Sequence, residues 1–492
     1  MARFGVIDKH SRLKGLTDDD HTQYLNTARH DLQARHPYTV LPDNLAEQAA
    51  SYVVFKENST YKAKNCHTGA IDYSGTDAST VIQAALDGLT AGRTWKEKVI
   101  FKNDFTLTTQ IKIPSYTVFK GGKFLASGIT AHDDIIAVGT NITDVDIIGV
   151  KVDVNGLDSV GIGVNAIGTE RITVQDCEVR NYGYFGGMVF GAKYGLVKHN
   201  LVDYGTGVYS TYARGIWLTS VNGRFITVED NIILNSVKES IFVEDGCMDD
   251  KILNNYIYTP KHHGIVVGDA GVNPIEKHLV QGNTVYGSTE ATGGIGIYLN
   301  KVKEVEVKDN HVYLMDGSGI AVTSSERCKI EDNFAFNNAQ QKPASYDQGI
   351  RLDAVTYSTI ARNHCFDNQT PKTQQHGIEF MGVANDYNCI FDNDLRDNAN
   401  GNLVGTIGAN TKIRNNYGFV TENSGTATIL SGQTSVVFAH NLAGTPTFVV
   451  LGATHAEVSD AIWSADATNI TLTVPSAVTA NRNISWYAEY KP

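Results

Sequence analysis

The sequence predicts an all-β protein whose main part is a parallel β-helix of about twelve coils, and two repeated patterns carry this prediction. The first pattern is an apolar residue, two variable positions and Asn. It occurs nine times between residues 197 and 416, ending at Asn200, Asn231, Asn255, Asn283, Asn310, Asn333, Asn363, Asn393 and Asn416. Successive asparagines lie 23 to 31 residues apart, a period typical of solenoid coils. We expect each Asn at a tight corner, because Asn tolerates the left-handed conformation and can hydrogen-bond to its own kind from coil to coil.

The second pattern, Gly-Ile-x-aliphatic, marks another strand in each coil. It starts at Gly161, Gly215, Gly264, Gly296, Gly319, Gly349 and Gly377, with Ser240 heading a variant, SIFV. Strand alternation puts Ile and the aliphatic residue inside and x outside. Corners at Gly122, Val150 and Cys177 continue the period upstream, which predicts a β-helix over residues 98–420. Two strands per coil and Gly-rich corners favour this fold over a β-sandwich.

The rest of the chain divides into three segments. Residues 1–50 are polar and have too few apolar residues for a core of their own. Residues 51–97 hold short strands and a helix, with Thr76 or Asp77 as N-cap and Gly92 at its end, which we expect to close the open end of the β-helix. Residues 421–492 alternate with period two between turn residues, which predicts a small antiparallel β module. Trp463 and Trp486 in this module suggest an oligomer contact.

Composition excludes several classes of function. The net charge of −12 and the scattered Lys and Arg residues argue against nucleic acid or an anionic membrane as partner. The six cysteines form no CxxC pair and are expected to be reduced. No stretch is apolar enough to span a bilayer and no apolar secretory region opens the chain, so we expect either a cytoplasmic protein or one released by another route, such as lysis. No cofactor and no metal site is expected, since DNDLRDN (392–398) lacks the Gly and Glu of a calcium loop.

Three segments resemble phage tail proteins. IDYSGTDASTVIQAALDGL and VIFKNDFTLTTQIKIPSYTVFKGG resemble the start of pectate-lyase-like right-handed β-helices, and the resemblance continues through the coils to residue 420. GLTDDDHTQYLN (15–26) is similar to a phrase of phage tail fibres and tailspikes, as is the terminal GTATI…GQTSVVFAHNLAGTPTFVVL. The resemblance implies a right-handed, homotrimeric tailspike or tail fibre that attaches to the virion tail through its N-terminus. It also implies binding of a host cell-surface glycan, with or without cutting it, at an extracellular site of action after release by lysis.

Aligning the Gly-Ile strands predicts which side chains lie together outside. The x position holds Trp217, Phe242, Val266, Tyr298, Ala321, Arg351 and Glu379 in successive coils, and two residues further on stand Glu244 and Asp353. We therefore predict candidate catalytic acids and candidate substrate-binding residues on one face. The acids are Glu244 with Asp269, and Asp353 with Glu379; the binding residues are Trp217, Phe242, Tyr298, Arg351, His263 and Arg214.

Three functions remain open at this stage. The first is a receptor-binding tail fibre, and the second is a polysaccharide depolymerase. A glycosidase would need two carboxyl groups ~5–9.5 Å apart, whereas a lyase would need a base such as Arg351, His263 or Tyr298. The third is a cellular β-helix protein of structural type. In that case the carboxylates are solvated or paired along the stack, as Arg214 with Glu239, and the aromatic residues are buried under a loop or at a trimer contact.

Overall fold

Parallel strands stacked coil upon coil make up most of the protein. The computed structural model describes residues 50–183, 185–205, 212–219, 223–244, 246–268, 275–288, 293–341 and 346–492. The predicted attachment segment therefore lies outside the described residues, apart from Ala50. Within this part of the chain, strands of successive coils pair in register and form an all-β parallel solenoid, as predicted.

Central coils contain three short strands where the sequence predicted two. The first two strands, Glu97–Leu107 and Thr117–Ala126, run through the corner and belong to both of the first two sheets. The first sheet otherwise precedes the corner and contains Thr143–Ile148, Glu170–Gln175, Leu196–Lys198, Thr227–Glu229, Lys251–Leu253, Leu279–Gln281, Glu306–Lys308, Lys329–Glu331, Thr359–Ala361, Cys389–Phe391 and Lys412–Arg414. The second sheet follows the corner and contains Lys151–Asp153, Glu178–Arg180, Leu201–Asp203, Ile232–Leu234, Tyr256–Tyr258, Thr284–Tyr286, His311–Tyr313 and Phe334–Phe336. The corner splits what looked like one strand into two, because the chain turns at the residue before Asn.

The third sheet has twelve strands and carries the Gly-Ile pattern. Its strands are Ile111–Ile113, Asp134–Val138, Val160–Val164, Gly186–Phe190, Arg214–Leu218, Ile241–Val243, Ile265–Val267, Ile297–Asn300, Ile320–Thr323, Gln348–Asp353, His376–Met381 and Gly401–Gly405. The Ile of the pattern is fully buried in coil after coil, as at Ile216, Ile241 and Ile265. Twelve strands agree with the predicted coil number.

The nine asparagines form one continuous hydrogen-bonded column inside the corner. Nδ2 of Asn283 donates to Oδ1 of Asn310 at 3.0 Å, and Oδ1 of Asn283 accepts from Nδ2 of Asn255, also at 3.0 Å. The same contact runs from Asn200 to Asn416, and the backbone N–H of Cys177 begins it by donating to Asn200. The predicted column is confirmed.

The prediction that Asn itself adopts the left-handed conformation is wrong. The residue before each Asn has positive φ, for example His199 (53°), Gly282 (69°) and Arg362 (55°). This residue makes the turn with its side chain outside. The following Asn can then direct its amide into the interior, where the column forms.

A short helix packs against the first coil. It spans Ala78–Asp87, with Asp77 as its N-cap, and the strands Tyr52–Glu57, Thr60–Asn65 and Ile71–Gly75 precede it. Gln83 of the helix exchanges two hydrogen bonds with the backbone of Lys112 in the first strand of the third sheet. The helix ends at Gly88 rather than at the predicted Gly92.

The C-terminal module has a core of its own, separate from that of the coils. It consists of two three-stranded antiparallel sheets. Their strands are Glu422–Ile429, Ser435–Ala439, Phe448–Ala453, Ile462–Ala465, Asn469–Thr473 and Arg482–Glu489, with a 3₁₀ turn at Ala456–Val458. Trp486 is buried in this core, whereas Trp463 is exposed. Cys177, Cys328, Cys365 and Cys389 are free thiols, and no helix in the described ranges is long and apolar enough to cross a membrane.

Candidate functional site

The outward side chains of the third sheet form the candidate site, and we name this surface the third-sheet face. Trp217 pairs with Phe242, and the row continues in register through Val266, Tyr298, Ala321, Arg351 and Glu379. The register predicted from the Gly-Ile pattern is therefore correct. Six coil steps of about 4.8 Å place the ends of this row roughly 29 Å apart.

An arginine lies over two aromatic rings at one end of the face. The guanidinium of Arg214 is 4.6 Å from the ring centroid of Trp217 and 4.3 Å from that of Phe242. Its Nε donates to Glu239 at 2.7 Å, and both charged side chains are less than a tenth exposed. Phe185 closes the other side of Trp217 with an edge-on ring contact at 4.9 Å. Two buried opposite charges between rings make a rigid support.

The predicted binding residues at this end differ in accessibility. Phe242 is only 4% exposed, so it supports Arg214 rather than offering a free ring. Trp217 is half-buried, and its buried Nε1 has no acceptor among the residues that the structure describes. Of the two rings, Trp217 is the one with surface left to contact a ligand.

His263 and Tyr298 occupy the middle of the face. Their ring centroids are 5.7 Å apart, and Nδ1 of His263 accepts a hydrogen bond from the backbone of Ile295 at 3.0 Å. Burial lowers the pKa of His263 well below its usual value, with a further effect of the neighbouring His262 and Lys238. The imidazole is therefore neutral near pH 7, with its proton on Nε2. Tyr298 is half-buried and lies within the predicted row.

A cluster of charged groups occupies the other end of the face. Nη2 of Arg351 donates to Asp353 at 2.9 Å, and the guanidinium lies 4.7 Å from the ring of Tyr346. Asp347, His376 and Glu379 each have a carboxylate oxygen or ring nitrogen that could bind a metal ion, and these three atoms lie within 4.8 Å of one another. We name Asp347, Arg351, Asp353, His376 and Glu379 the carboxylate cluster.

A glutamine amide links the two unpaired acids of this cluster. Nε2 of Gln348 donates to Asp347 at 2.7 Å and to Glu379, while its Oε1 accepts from the hydroxyl of Ser318 at 2.7 Å. Burial raises the pKa of Asp347; the nearby Glu379 raises it further, whereas His376 lowers it. The pair therefore combines one acid that holds its proton more tightly with a second carboxyl group close by.

The other predicted acids are in different surroundings. Glu244 accepts a hydrogen bond from the hydroxyl of Thr219 in the preceding coil. Asp269, its proposed partner, lies outside the described residues. Asp353 is bonded to Arg351, and Glu379 lies within 4.8 Å of Asp347, an acid that the sequence did not single out.

Asp134, near the start of the face, is a further candidate that sequence patterns missed. Its carboxyl group lies over Gly163, where a Cβ atom would come within 2.1 Å of it. It lines a cleft of about 440 Å³ together with Asn165 and Thr219, and also borders a second cleft of about 700 Å³. Burial, and then the charge of Asp133, raise the pKa of Asp134 to about 6.

The missed residues lack the features that the repeat makes visible. Asp347 stands just before its strand begins, and Asp134 lies in a coil whose sequence, DIIAV, lacks the Gly-Ile pattern. His376 directly precedes the Gly of its Gly-Ile pattern, but its neighbours in space could not be read from spacing. A rule that also considered the residue before each third-sheet strand and the first residue of the strand would have found both acids.

Comparison with known sequences supports the fold. The model of the family "Right handed beta helix region" matches residues 248–417, and that of "Periplasmic copper-binding protein (NosD)" matches residues 126–304. Neither match covers half of the chain. No curated protein sequence matches it.

Solved structures with the same fold include polysaccharide-related proteins. The A-module of mannuronan C-5 epimerase AlgE6 from Azotobacter vinelandii is 12% identical, covers 69% of this chain and 95% of its own, and has a TM-score of 0.55. The Dettilon tailspike protein is 13% identical, with 85% and 92% covered and a TM-score of 0.55. A tailspike double mutant of E. coli bacteriophage HK620, in complex with a pentasaccharide, is 12% identical, with 86% and 92% covered and a TM-score of 0.52. The protein thus has the right-handed β-helix fold of phage tailspikes.

The name of the NosD family raises the question whether residues 126–304 could hold a copper ion. Among the described residues, the group of three or more His, Cys, Asp or Glu side chains with converging atoms is Asp347, His376 and Glu379, which lies outside 126–304. Cys177 and Cys247 in that range are buried among apolar residues of the coil core. The described part of 126–304 therefore does not fit a copper centre.

Replacing Asp134 by Asn should stabilise the protein at neutral and alkaline pH, and much less at acidic pH. An Asp with a raised pKa costs stability once its carboxyl group must ionise, so the cost is absent below pH 3.8, grows as the pH rises, and is complete above about pH 6. We expect Asp134→Asn to raise the free energy of unfolding by roughly 1–3 kcal/mol at pH 8. The gain should be much smaller at pH 4.5, because most of the cost arises between pH 4.5 and pH 6. Guanidinium unfolding midpoints at both pH values measure this difference.

The exposed Asp104 offers a matched control. Its side chain is 78% exposed, so Asp104→Asn should give no pH-dependent gain. An equal gain from Asp134→Asn at pH 4.5 and pH 8 would show that the carboxyl group is not strained by its burial.

Proposed function

We propose that the protein is a tailspike-type recognition protein that binds a cell-surface polysaccharide along the third-sheet face. The observation that carries this proposal is the register of the face. It aligns half-buried Trp217, Tyr298 beside the neutral His263, and Arg351 and Glu379 of the carboxylate cluster along a row roughly 29 Å long. A surface of this length suits an oligosaccharide rather than a single sugar.

The chemistry of the row matches what sugars offer to a protein. The apolar faces of sugar rings pack on aromatic side chains such as Trp217 and Tyr298, whose edges can also hydrogen-bond. Sugar hydroxyl groups can donate to Glu379 and accept from Arg351, whose buried Nε has no acceptor among the described residues. Neighbouring residues of the row are one coil apart, so the different contacts lie at multiples of about 4.8 Å along the face.

The tailspike assignment extends to parts of the molecule that the face does not involve. We propose that residues 1–50 attach the protein to the virion tail, that it acts outside the cell after lysis, and that it is a homotrimer. The separate core of residues 422–489 supports a module for trimerisation or receptor binding. Support for the assignment as a whole comes from the N-terminal phrase and from the shared fold of the tailspikes above.

Depolymerisation of the bound glycan is a second candidate function, favoured by the proximity of Asp347 and Glu379. Their closest ligand-capable atoms are within 4.8 Å, near the ~5–5.5 Å separation of carboxyl groups in retaining glycosidases. Asp347, with its raised pKa, would be the acid and Glu379 the nucleophile. Asp353 with Glu379, and Glu244 with Asp269, remain the alternative pairs.

Truncating Tyr298 should weaken glycan binding, whereas truncating a tyrosine on another sheet should not. We expect Tyr298→Ala to reduce affinity about tenfold through the loss of ring contact. Tyr258→Ala is the control, since Tyr258 is 41% exposed on the second sheet.

Arg351→Lys, which keeps the charge but loses the planar fork, should also weaken binding about tenfold. Purified bacterial surface polysaccharides on an array give the affinities, and loss of binding with Tyr258→Ala alone would contradict the proposal.

If the protein cuts the glycan, Glu379→Gln should reduce the rate by at least about 100-fold, because it removes the carboxylate that attacks or activates water. Release of reducing ends measures hydrolysis, and ultraviolet absorbance of unsaturated products measures elimination. Glu306→Gln, on the first sheet beside Lys329, is the control and should retain activity. Activity unaffected by Glu379→Gln, Asp353→Asn and Glu244→Gln would exclude every pair named here.

A further inference from the structure

The group Asp347, His376 and Glu379 has the geometry of a cation site. Gln348 pairs directly with His376 in the next coil, so Asp347, one residue before Gln348, is held beside the imidazole. Glu379 lies three residues beyond His376 in the same strand. The three side chains are half-buried and therefore reachable from solvent. Two oxygen ligands and one nitrogen ligand within 4.8 Å need only small side-chain movements to converge on one ion.

The charges around this group leave it short of positive charge. Arg351 belongs to the same cluster, but its Nη2 is bonded to Asp353 at 2.9 Å and its guanidinium faces Tyr346. Among the described residues, the amide of Gln348 is the side-chain donor that Asp347 and Glu379 share. Two neighbouring carboxylates disfavour each other's ionisation unless a cation lies between them. A charge of +2 would balance the pair.

The histidine supplies the second, independent observation. Nδ1 of His376 is buried and has no hydrogen-bond partner among the described residues. Among the described residues, no hydrogen bond to Nδ1 therefore holds the His376 ring in one orientation. An imidazole left in this way next to two acids is available to a metal ion as a neutral ligand.

We propose that Asp347, His376 and Glu379 bind one divalent transition-metal ion. An imidazole with two carboxylates suits Zn²⁺ or Mn²⁺ better than Ca²⁺ or Mg²⁺, which prefer oxygen ligands alone. A flip of the Gln348 amide would present its oxygen to the ion as a fourth ligand, with its NH₂ turned to the hydroxyl of Ser318. This site departs from the sequence analysis, which predicted no metal.

The ion would anchor a glycan on the third-sheet face, and this part of the inference rests on the proposed function. Three protein ligands leave coordination positions open to water or to neighbouring hydroxyl groups of a sugar. If an ion occupies the site, Asp347 and Glu379 are its ligands and cannot serve as the acid and the nucleophile of glycan hydrolysis. Metal-dependent recognition and metal-free hydrolysis are therefore distinguishable uses of the same residues.

Calorimetry with Zn²⁺ and Mn²⁺ alone tests the site on the full chain after treatment with a chelator. We expect one ion per chain, with Ca²⁺ binding more weakly, and an affinity lowered about tenfold or more by His376→Gln and by Glu379→Gln. The control is His311→Gln, because His311 is exposed on the second sheet and stacks on Phe334. Thermal melting of the metal-free variants establishes that they are folded.

Two results would overturn the proposal. One is the absence of saturable binding at millimolar Zn²⁺ or Mn²⁺, and the other is an affinity that His376→Gln and Glu379→Gln leave unchanged. Because these titrations contain no glycan, failure of the polysaccharide proposal does not affect them. Repeating the polysaccharide array with and without the ion then shows whether the ion takes part in recognition.

Discussion

The column of asparagine amides at the coil corner is the interaction on which the rest of the structure depends. Each amide before Asn416 accepts with its oxygen from the coil before and donates with its NH₂ to the coil after, so one residue type satisfies both neighbours without a buried charge. Asp in these positions would bring carboxylates of successive coils to about 4.8 Å, where like charges repel. The column therefore fixes both the residue type and the register of each coil.

A fixed register stacks like on like along the molecule. On the outside of the second sheet the rings of Tyr258, Tyr286, Tyr313, Phe336 and Phe366 follow one another with centroids 4.9 to 5.2 Å apart. The third-sheet face is different, because its outward residue changes in nearly every coil. The interior residues repeat from coil to coil, whereas the outward residues of the third-sheet face vary. This distribution is expected when the fold supplies a scaffold and one face recognises a ligand.

The sequence was sufficient where the repeat itself carried the information. The Asn column, the inside and outside of the Gly-Ile strands, and the rows containing Trp217 and Glu379 all follow from a single period. The sequence was insufficient where the structure depends on local backbone geometry or on contacts between non-repeating residues. The left-handed residue precedes Asn because the amide must point inward, and the resulting turn divides one predicted strand into two.

Side-chain contacts across coils account for the differences at the site. Phe242 stands in an outward row, yet Arg214 covers it, because the buried ion pair with Glu239 holds the guanidinium over the ring. Asp347 joins the carboxylate cluster from a position before its strand. Neither fact can be read from spacing, since both depend on which rotamers the neighbouring coils allow.

Replacing one asparagine in the middle of the column tests the central claim most directly. Asn363 accepts hydrogen bonds from the backbone N–H and Nδ2 of Asn333, and donates to Asn393 and to the carbonyl of Ile330. Asn363→Ala would leave buried donors without acceptors, which should lower the free energy of unfolding by roughly 3 kcal/mol or more. The exposed Asn400 is the control, and Asn400→Ala should cost less than about 0.5 kcal/mol. A guanidinium midpoint for Asn363→Ala equal to that of Asn400→Ala would contradict the account.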